Sequence, residues 1–323
     1  MTKISWRVYG NPARHPGRYG KVRRKALVTG ATGFVGSHLT RKLLSEGWEV
    51  HILLRDKSDT QKLNDLQDKI QTHRSDGRTT TLVQIFQQAK PDVVFHLASR
   101  VQSGHRPEEI EDLVSSNITL GTQLLEGMLQ SGTRYFVNAG SYWQYFESGS
   151  YNPVNFYAAT KQAFQDLLRF YTETSSISAL TLVLYDVYGP EDTRNKLFQL
   201  VETASQSGEP LAMTPGEQYL DLVYIDDVVE AFCQAARLLQ TNSQGDREEC
   251  YAVTSGRPLR LKEVVAIYQR VTGKTVPVVW GKRPYRNREV MRPWKGTPLP
   301  GWKAGIDLET GIQRMTTLSR MAS

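Results

Sequence analysis

Three glycines, Gly30, Gly33 and Gly36, follow directly on the apolar run Ala26-Leu27-Val28-Thr29, and after them Val35, Leu39 and Leu43 recur at helical spacing. No other feature constrains the fold of this chain as tightly. A strand that turns through glycines into a helix leaves backbone N–H groups at the helix N-terminus, where they and the helix dipole favour an anion. Gly30 and Gly33 let the turn approach a pyrophosphate, and Gly36 lets the helix pack closely on its strand. Residues Gly30, Thr32, Gly33, Phe34, Val35 and Gly36 are therefore expected to cradle a dinucleotide. An ordinary glycine-rich turn is the plainer alternative.

The same alternation continues downstream. Apolar runs at Val50-His51-Ile52-Leu53-Leu54, Val93-Val94-Phe95-His96-Leu97, Tyr135-Phe136-Val137 and Leu180 to Leu184 are separated by helical patterns, among them one near Asn117 to Leu129 and one around Tyr157. Strands that are apolar throughout and joined by helices describe a parallel sheet covered on both faces. Residues 25–189 are thus expected to form an α/β, Rossmann-like, doubly wound domain. Beyond Tyr188-Gly189-Pro190 the alternation breaks down, and residues 190–323 are read as a smaller C-terminal substrate domain. That domain is expected to interleave partly with the first, since Leu222 to Ile225 and a helix from Asp227 to about Leu239 could return to the main sheet.

Composition narrows the class. Apolar residues make up 39% of 323, and no run approaches the ~20 residues that span a bilayer, so no membrane partner is expected. The formal charge of +7 is local: residues 1–25 hold eight of the 40 basic residues and none of the 33 acidic ones, leaving the remainder close to neutral. Nucleic acid is accordingly not an expected partner of the body. Residues 1–24 read as a loosely packed basic tail without the apolar stretch of a secretory signal. Cys233 and Cys250 are the only cysteines, so neither a disulfide framework nor a cysteine metal site is indicated, no metal is expected, and a reducing cytoplasm is the default.

Cofactor choice is read at the end of the second strand, Leu53-Leu54-Arg55-Asp56. An acidic residue there would bind the ribose hydroxyl of NAD, whereas the Arg55 guanidinium suits the 2′-phosphate of NADP. NADP is favoured over NAD, with Asp56 one register step away. Asp76 stands where it would meet the adenine or simply make an Asp-Gly turn. Residues 157–161 read Tyr-Ala-Ala-Thr-Lys. Positions four apart share a helix face, so the Lys161 ammonium is expected to draw the Tyr157 phenol down toward neutrality for proton exchange with a substrate oxygen.

Taken together, Gly30/Gly33/Gly36, His96-Leu97-Ala98-Ser99, Asn117, Ser141, Tyr157-x-x-x-Lys161, Tyr188-Gly189-Pro190 and Tyr224-Ile225-Asp226-Asp227-Val228 resemble the extended short-chain dehydrogenase/reductases, the NAD(P)-dependent nucleotide-sugar epimerases, dehydratases and reductases. The resemblance implies Tyr157 as acid/base, Lys161 on the nicotinamide ribose and Ser141 on the substrate oxygen. It also implies Leu97, Ala98, Ser99, Asn117, Tyr185 and Val187 near the cofactor, a nucleotide-diphospho-sugar substrate and a homodimer. Asn138 to Gln144, Tyr151 to Tyr157, Leu184 to Arg194, Pro215 to Asp227 and Arg283 to Glu289 look like the reductases that form CDP-linked 3,6-dideoxyhexoses by reducing a 4-keto group with NADPH.

Departures from the wider family carry weight. Ser141 is followed by Tyr142-Trp143 where sugar dehydratases carry an Asp-Glu pair, so elimination lacks its acid and base and Tyr157 stands as the only evident one. Asp186 replaces a common Asn, and Leu220 replaces an Arg that grips the diphosphate. Its task passes to another cation, with Arg194, Lys196, Arg283, Arg286 and Arg288 as candidates; Tyr142, Trp143 and Tyr145 could line the sugar pocket. The expected activity is NADPH-dependent 4-ketoreduction. A C4 epimerase, or a non-catalytic dinucleotide-sensing or nucleic-acid-binding protein on the same fold, are the alternatives.

Overall fold

The structure, a computed structural model, describes residues 23–147, 149–241 and 248–322. The basic tail expected over residues 1–24 lies, up to residue 22, outside the described residues. Strands β1 (Lys25–Thr29), β2 (Glu49–Arg55), β3 (Ile70–Ser75), β4 (Val93–His96), β5 (Tyr135–Ser141) and β6 (Ser178–Leu184) alternate with helices α1 (Phe34–Ser45), α2 (Thr79–Ala89), α3 (Ile110–Val114), α4 (Leu120–Ser131) and α5 (Phe156–Thr174). The chain continues through β7 (Asp186–Tyr188), α6 (Leu197–Ser207), β8 (Leu211–Ala212), β9 (Tyr219–Leu220), β10 (Leu222–Tyr224), α7 (Ile225–Thr241), β11 (Glu248–Val253), β12 (Leu259–Arg260), α8 (Leu261–Thr272), β13 (Val278–Val279) and α9 (Leu308–Ala322).

The main sheet has seven parallel strands in the order β11-β6-β5-β4-β1-β2-β3. Its side chains alternate between two cores, as the period of two demands. Leu27, Leu53, Val94, Phe136 and Ala179 meet Leu82, Phe86, Leu124, Leu125, Met128 and Phe164 of α2, α4 and α5 on one face. Ala26, Val28, Val50, Ile52, Phe95 and Val137 meet Leu39 and Leu43 of α1 and Val228, Val229, Phe232 and Ala236 of α7 on the other. This is the doubly wound α/β fold read from the sequence.

The C-terminal part is tied into that sheet. Helix α7 packs on α1 and beneath β5 and β6, and β11 becomes an edge strand paired with β6 from Glu248↔Ala179 to Val253↔Leu184. The run Leu222–Tyr224 pairs with β7 in a separate two-stranded sheet. Short pairs β12–β9 and β13–β8 then frame a second wall beyond the carboxyl ends of the main strands, where α6 and the segment 281–296 lie.

Two glycines are required where the first strand meets the first helix. Gly30 has φ +72°, and a Cβ there would stand 2.7 Å from the backbone nitrogen of Ala98. A Cβ on Gly36 would stand 2.0 Å from the carbonyl oxygen of Gly30. Helix α1 can therefore lie this close to β1 only with hydrogen at position 36. Gly36→Ala is expected to cost about 1–3 kcal/mol of stability through overpacking, seen as a melting temperature lowered by several degrees together with weakened dinucleotide binding.

Candidate active site

A cleft of about 1280 Å³ opens at the carboxyl ends of the central strands. One wall is the turn into α1. Gly33 is the N-cap residue in an extended conformation, no side chain caps the helix, and no acidic residue occupies its first turn. Gly33 and Ser37 donate their backbone N–H groups to the carbonyls of Gly30 and Gly33. Those of Phe34, Val35 and Gly36 face a region in which no described residue accepts them, and Gly33, Phe34 and Val35 line the cleft. Free donors at a helix N-terminus, with backbone approach secured by glycine, fit a diphosphate.

The floor is built from the ends of β4 and β5 and the first two turns of α5. Asn155 caps α5, its Oδ1 accepting from the Ala158 N–H at 2.9 Å. One turn on, Tyr157 and Lys161 point into the cleft from the same face, both buried. The Tyr157 hydroxyl shares the cleft with the hydroxyls of Ser141 and Ser99, both of which act on it. Ser141 also accepts from the Trp143 N–H at 3.3 Å, so it caps a short turn as well as meeting the tyrosine. Gln144, fully buried, fixes that turn by accepting from the Ser141 N–H at 2.9 Å and donating to Gln162 and Gln165.

Asn117 holds the two halves of the floor together. It lies on a π-helical turn, Ser115–Thr119, between α3 and α4, and such wide turns rotate a side chain out of the regular helical register. Its Oδ1 accepts from Ser99 Oγ at 2.9 Å and from the Arg100 N–H at 2.8 Å, and its Nδ2 donates to Arg100 O and to Thr160 Oγ1. Thr160 in turn donates to the Tyr157 carbonyl at 2.7 Å. The β4 loop is thereby locked to α5 at the tyrosine.

The electrostatics differ from the sequence expectation in one respect. Burial pushes the Tyr157 phenol up, and the opposing influences are the Ser141 and Ser99 hydroxyls, not the Lys161 charge. Lys161 is itself drawn down to about 8 by burial, and its Nζ makes no hydrogen bond to any described residue. Spacing put the two groups on one face, but in this enclosed site desolvation outweighs their coupling. Behind them His96, fully buried against Phe136 and Phe164, is drawn down to about 3 by burial and by the Lys161 charge. Its Nδ1 meets Thr29 Oγ1 at 2.8 Å.

Most of the sequence-predicted residues meet in this cleft: Gly30, Gly33, Phe34, Val35, Gly36, Leu97, Ser99, Ser141, Tyr142, Trp143, Tyr157, Lys161, Tyr185, Asp186, Val187, Arg194, Lys196, Arg283 and Arg286 line it. Thr32, Ala98 and Asn117 stand behind its surface. Arg55 and Asp76 lie outside the cleft, exposed at the ends of β2 and β3. Asp76 accepts from the Arg78 N–H at 3.0 Å, the turn chemistry open to an Asp-Gly pair. The Arg55 guanidinium has no ion pair among the described residues. Beside it Arg74, which sequence reasoning passed over, donates to the Asp56 carbonyl at 3.1 Å.

Among the proposed diphosphate cations the structure separates two groups. Arg194 grips Asp192 bidentately at 2.6 and 2.7 Å and stacks on Phe34, so it is already paired. Arg288 lies outside the cleft, donating to Asn152 and stacking on Phe146. Lys196, Arg283 and Arg286 reach the cleft without an ion pair to any described residue. Leu220 lines the same stretch. The cleft also holds carboxylates, among them Asp186, which the sequence marks as a departure from a common Asn, and Glu289, which sequence reasoning passed over. Asp186 accepts from the Tyr142 hydroxyl at 3.1 Å, burial pushes its carboxyl up, and Glu289 lies close by. Tyr157 is therefore not the only titratable group in reach of a ligand.

The sequence and fold comparisons agree with this architecture. Residues 26–250 match the NAD dependent epimerase/dehydratase family, and the chain belongs to that family. It is similar to the CDP-abequose synthase of Salmonella muenchen, 28% identical over 301 residues that cover 92% of this chain and 98% of the relative. Among solved structures it is similar to MoeE5 in complex with UDP-glucuronic acid and NAD, at 26% identity, TM-score 0.76 and coverage of 93% and 100%. A UDP-glucose 4-epimerase from Thermotoga maritima shares the fold, with TM-score 0.79 at 23% identity, covering 92% and 99%. No helix among the described residues is long and apolar enough to cross a membrane.

A cation buried without a partner leaves a mark on stability. Lys161 titrates near 8 in the folded chain, against an ordinary lysine value of 10.5. The unfolded chain therefore binds more protons between those values, and stability rises with pH across that window. Lys161→Met is expected to raise the stability of the cofactor-free protein at pH 7 by up to about 3 kcal/mol, with the gain shrinking as the pH approaches the unfolded value. Thermal melts of both proteins at neutral pH and near pH ~10 test this.

Proposed function

We propose that the protein reduces the 4-keto group of a nucleotide-linked 6-deoxy or 3,6-dideoxyhexose, carried on CDP, with NADPH as hydride donor. The observation that carries the reading is the Tyr157 hydroxyl, set with Ser141 and Ser99 on the cleft and held in its protonated form by burial. When bound, the nicotinamide supplies the hydride. Tyr157 then gives its proton to the oxygen that develops negative charge, and Ser141 shares that hydrogen bond. Lys161 orients the ribose and replenishes the phenol proton. Because Ser141 is followed by Tyr142-Trp143, no carboxylate pair stands at that turn to drive an elimination.

The free N–H groups at α1 fit the dinucleotide diphosphate, with Gly30, Thr32, Gly33, Phe34, Val35 and Gly36 as its cradle. Leu97, Ala98, Ser99, Asn117, Tyr185 and Val187 are assigned to the cofactor side by position. NADPH, rather than NADH, is supported by Arg55, which has no ion pair among the described residues, with Arg74 beside it, and Asp76 is assigned to the adenine edge. Lys196, Arg283 and Arg286 are the cations available to the sugar-nucleotide diphosphate in place of an arginine at Leu220, since guanidinium forks suit phosphate oxygens. The CDP-linked deoxysugar is supported by the likeness to CDP-abequose synthase. A cytoplasmic homodimer completes the reading.

A C4 epimerase is the second reading, favoured by the likeness of the fold to a UDP-glucose 4-epimerase. Following NADPH absorbance with CDP-, UDP-, dTDP- and GDP-linked 4-keto sugars separates the two, because epimerisation consumes no net NADPH. Stoichiometric oxidation with a CDP-4-keto sugar is the expected result, and interconversion without oxidation would refute reduction. Tyr157→Phe should lower kcat about 10²–10⁴-fold, the usual contribution of a general acid, while NADPH binding is nearly unchanged. Arg55→Asp combined with Arg74→Ala should shift the NADPH/NADH preference toward NADH by at least about tenfold through the lost charge-assisted bonds.

The pH profile follows from the same groups. Tyr157 must carry its proton and is pushed up, so it does not limit reduction at neutral pH. Lys161 is charged below its value of about 8 and neutral above it. The alkaline limb of kcat/KM should therefore fall near that same value of about 8. In Lys161→Arg, whose guanidinium stays charged, the limb should move to higher pH at a reduced kcat.

A further inference from the structure

The cleft wall that continues from Tyr157 carries a carboxylate in an unusual setting. Tyr142 stacks on Tyr185 with centroids 5.2 Å apart and planes 6° apart, meets the edge of Trp143 at 6.2 Å, and donates its hydroxyl to Asp186 Oδ2 at 3.1 Å. Trp143 in turn meets the edge of Tyr157 at 6.1 Å. A continuous aromatic shelf therefore runs from the reacting phenol to Asp186. The second carboxylate oxygen, Oδ1, makes no hydrogen bond to any described residue, and Asp186 lines the cleft.

The charges around Asp186 are sorted by their other engagements. Lys196 and Arg194 act on it from one side, but Arg194 is spent on Asp192. The charge of Asp221 also acts on it, and Asp221 is itself held by Thr254 and the Ser255 N–H. Glu289, a cleft-lining residue whose charge acts on Tyr142, adds a second anion to this region. A sugar whose diphosphate meets Lys196, Arg283 and Arg286 and whose reacting carbon meets Tyr157 must pass along the shelf, beside the free oxygen of Asp186.

From this arrangement we propose that Asp186 sets the sugar specificity of the cleft: it accepts a hydrogen bond from a hydroxyl of a neutral sugar and excludes sugars that bear a carboxylate, the uronic acids. An ionised carboxylate has acceptors only, so a sugar hydroxyl is its natural partner. A second carboxylate brought to the same partly desolvated wall meets like charge with no donor between them, and one such repulsive element is an effective route to specificity. The inference rests on the reading of this cleft as a sugar-nucleotide site, but not on the direction of hydride transfer.

Binding of CDP-glucose and CDP-glucuronate to the NADP⁺-loaded protein tests it by calorimetry, since the two probes share base, diphosphate and ring and differ at C6. The wild-type protein should bind CDP-glucose at least about tenfold more tightly than CDP-glucuronate, as expected of like charges in a poorly screened site. Asp186→Asn should bring the two within about threefold, because the charge is gone while the shape is kept. Tyr142→Phe keeps the charge and should keep the discrimination, which a merely structural role for the pair would not produce. Retained NADP⁺ binding shows that each variant is folded. Equal binding of both probes by the wild type, or an unchanged ratio in Asp186→Asn, would overturn the proposal. Failure of both probes to bind would overturn it together with the sugar-nucleotide reading of the cleft, whereas a preserved ratio without ketoreduction would refute only the proposed reaction.

Discussion

An ammonium buried without a counter-ion is the constraint around which this molecule is arranged. Lys161 sits on α5 with no carboxylate paired to it among the described residues and with burial lowering its affinity for a proton. Such a group is tolerated only if nothing nearby adds like charge and if the surroundings are rigid enough not to collapse onto it. His96 meets the first condition by staying neutral, drawn down to about 3 in its apolar cage with Phe136 and Phe164. Asn117 meets the second. Its amide satisfies four partners at once and locks the β4 loop to α5, so the cavity beside Lys161 is preformed.

Local features of the fold were legible in the sequence because they are written in contiguous residues. The turn through Gly30, Gly33 and Gly36 is a backbone requirement, and the 2.0 Å approach of a notional Cβ at Gly36 shows why no other residue would serve. The alternation of Leu27 with Ala26 and Val28 between two cores follows from the period of a strand buried on both faces. What the sequence could not show was long-range. Strand β11 joins β6 across more than sixty residues of chain, a pairing to which its short mixed run Glu248-Glu249-Cys250-Tyr251-Ala252-Val253 gives no local clue.

The candidate site was legible as a set of residues but not as an electrostatic arrangement. Helical spacing placed Tyr157 and Lys161 on one face, yet it carries no information about solvent, and burial reverses the expected direction for the phenol. Arg194 looked like a phosphate ligand until Asp192, two residues before it, proved to occupy both arms of its guanidinium. Gln144 and Thr160 had no signal beyond being polar residues inside apolar patterns. Asp186 was visible as a departure from a common Asn, but its partnership with Tyr142 spans 44 residues and becomes evident only when the turn after β5 meets the start of β7.

The second wall of the cleft depends on contacts between segments with little regular structure. Trp294 stacks on Tyr145 with centroids 4.1 Å apart, its carbonyl accepts from the Tyr185 hydroxyl at 2.6 Å, and Arg288 joins Asn152 and Phe146. These contacts fasten residues 281–296 to the turn that follows Ser141, so the segment bearing Arg283 and Arg286 and the turn bearing Tyr142 and Trp143 form one unit. The cations offered to a diphosphate and the aromatic shelf offered to a sugar are held at a fixed separation. On the proposed reading, that coupling is what would let a loop cation stand in for an arginine at Leu220, because rigid placement rather than added charge makes a phosphate contact productive.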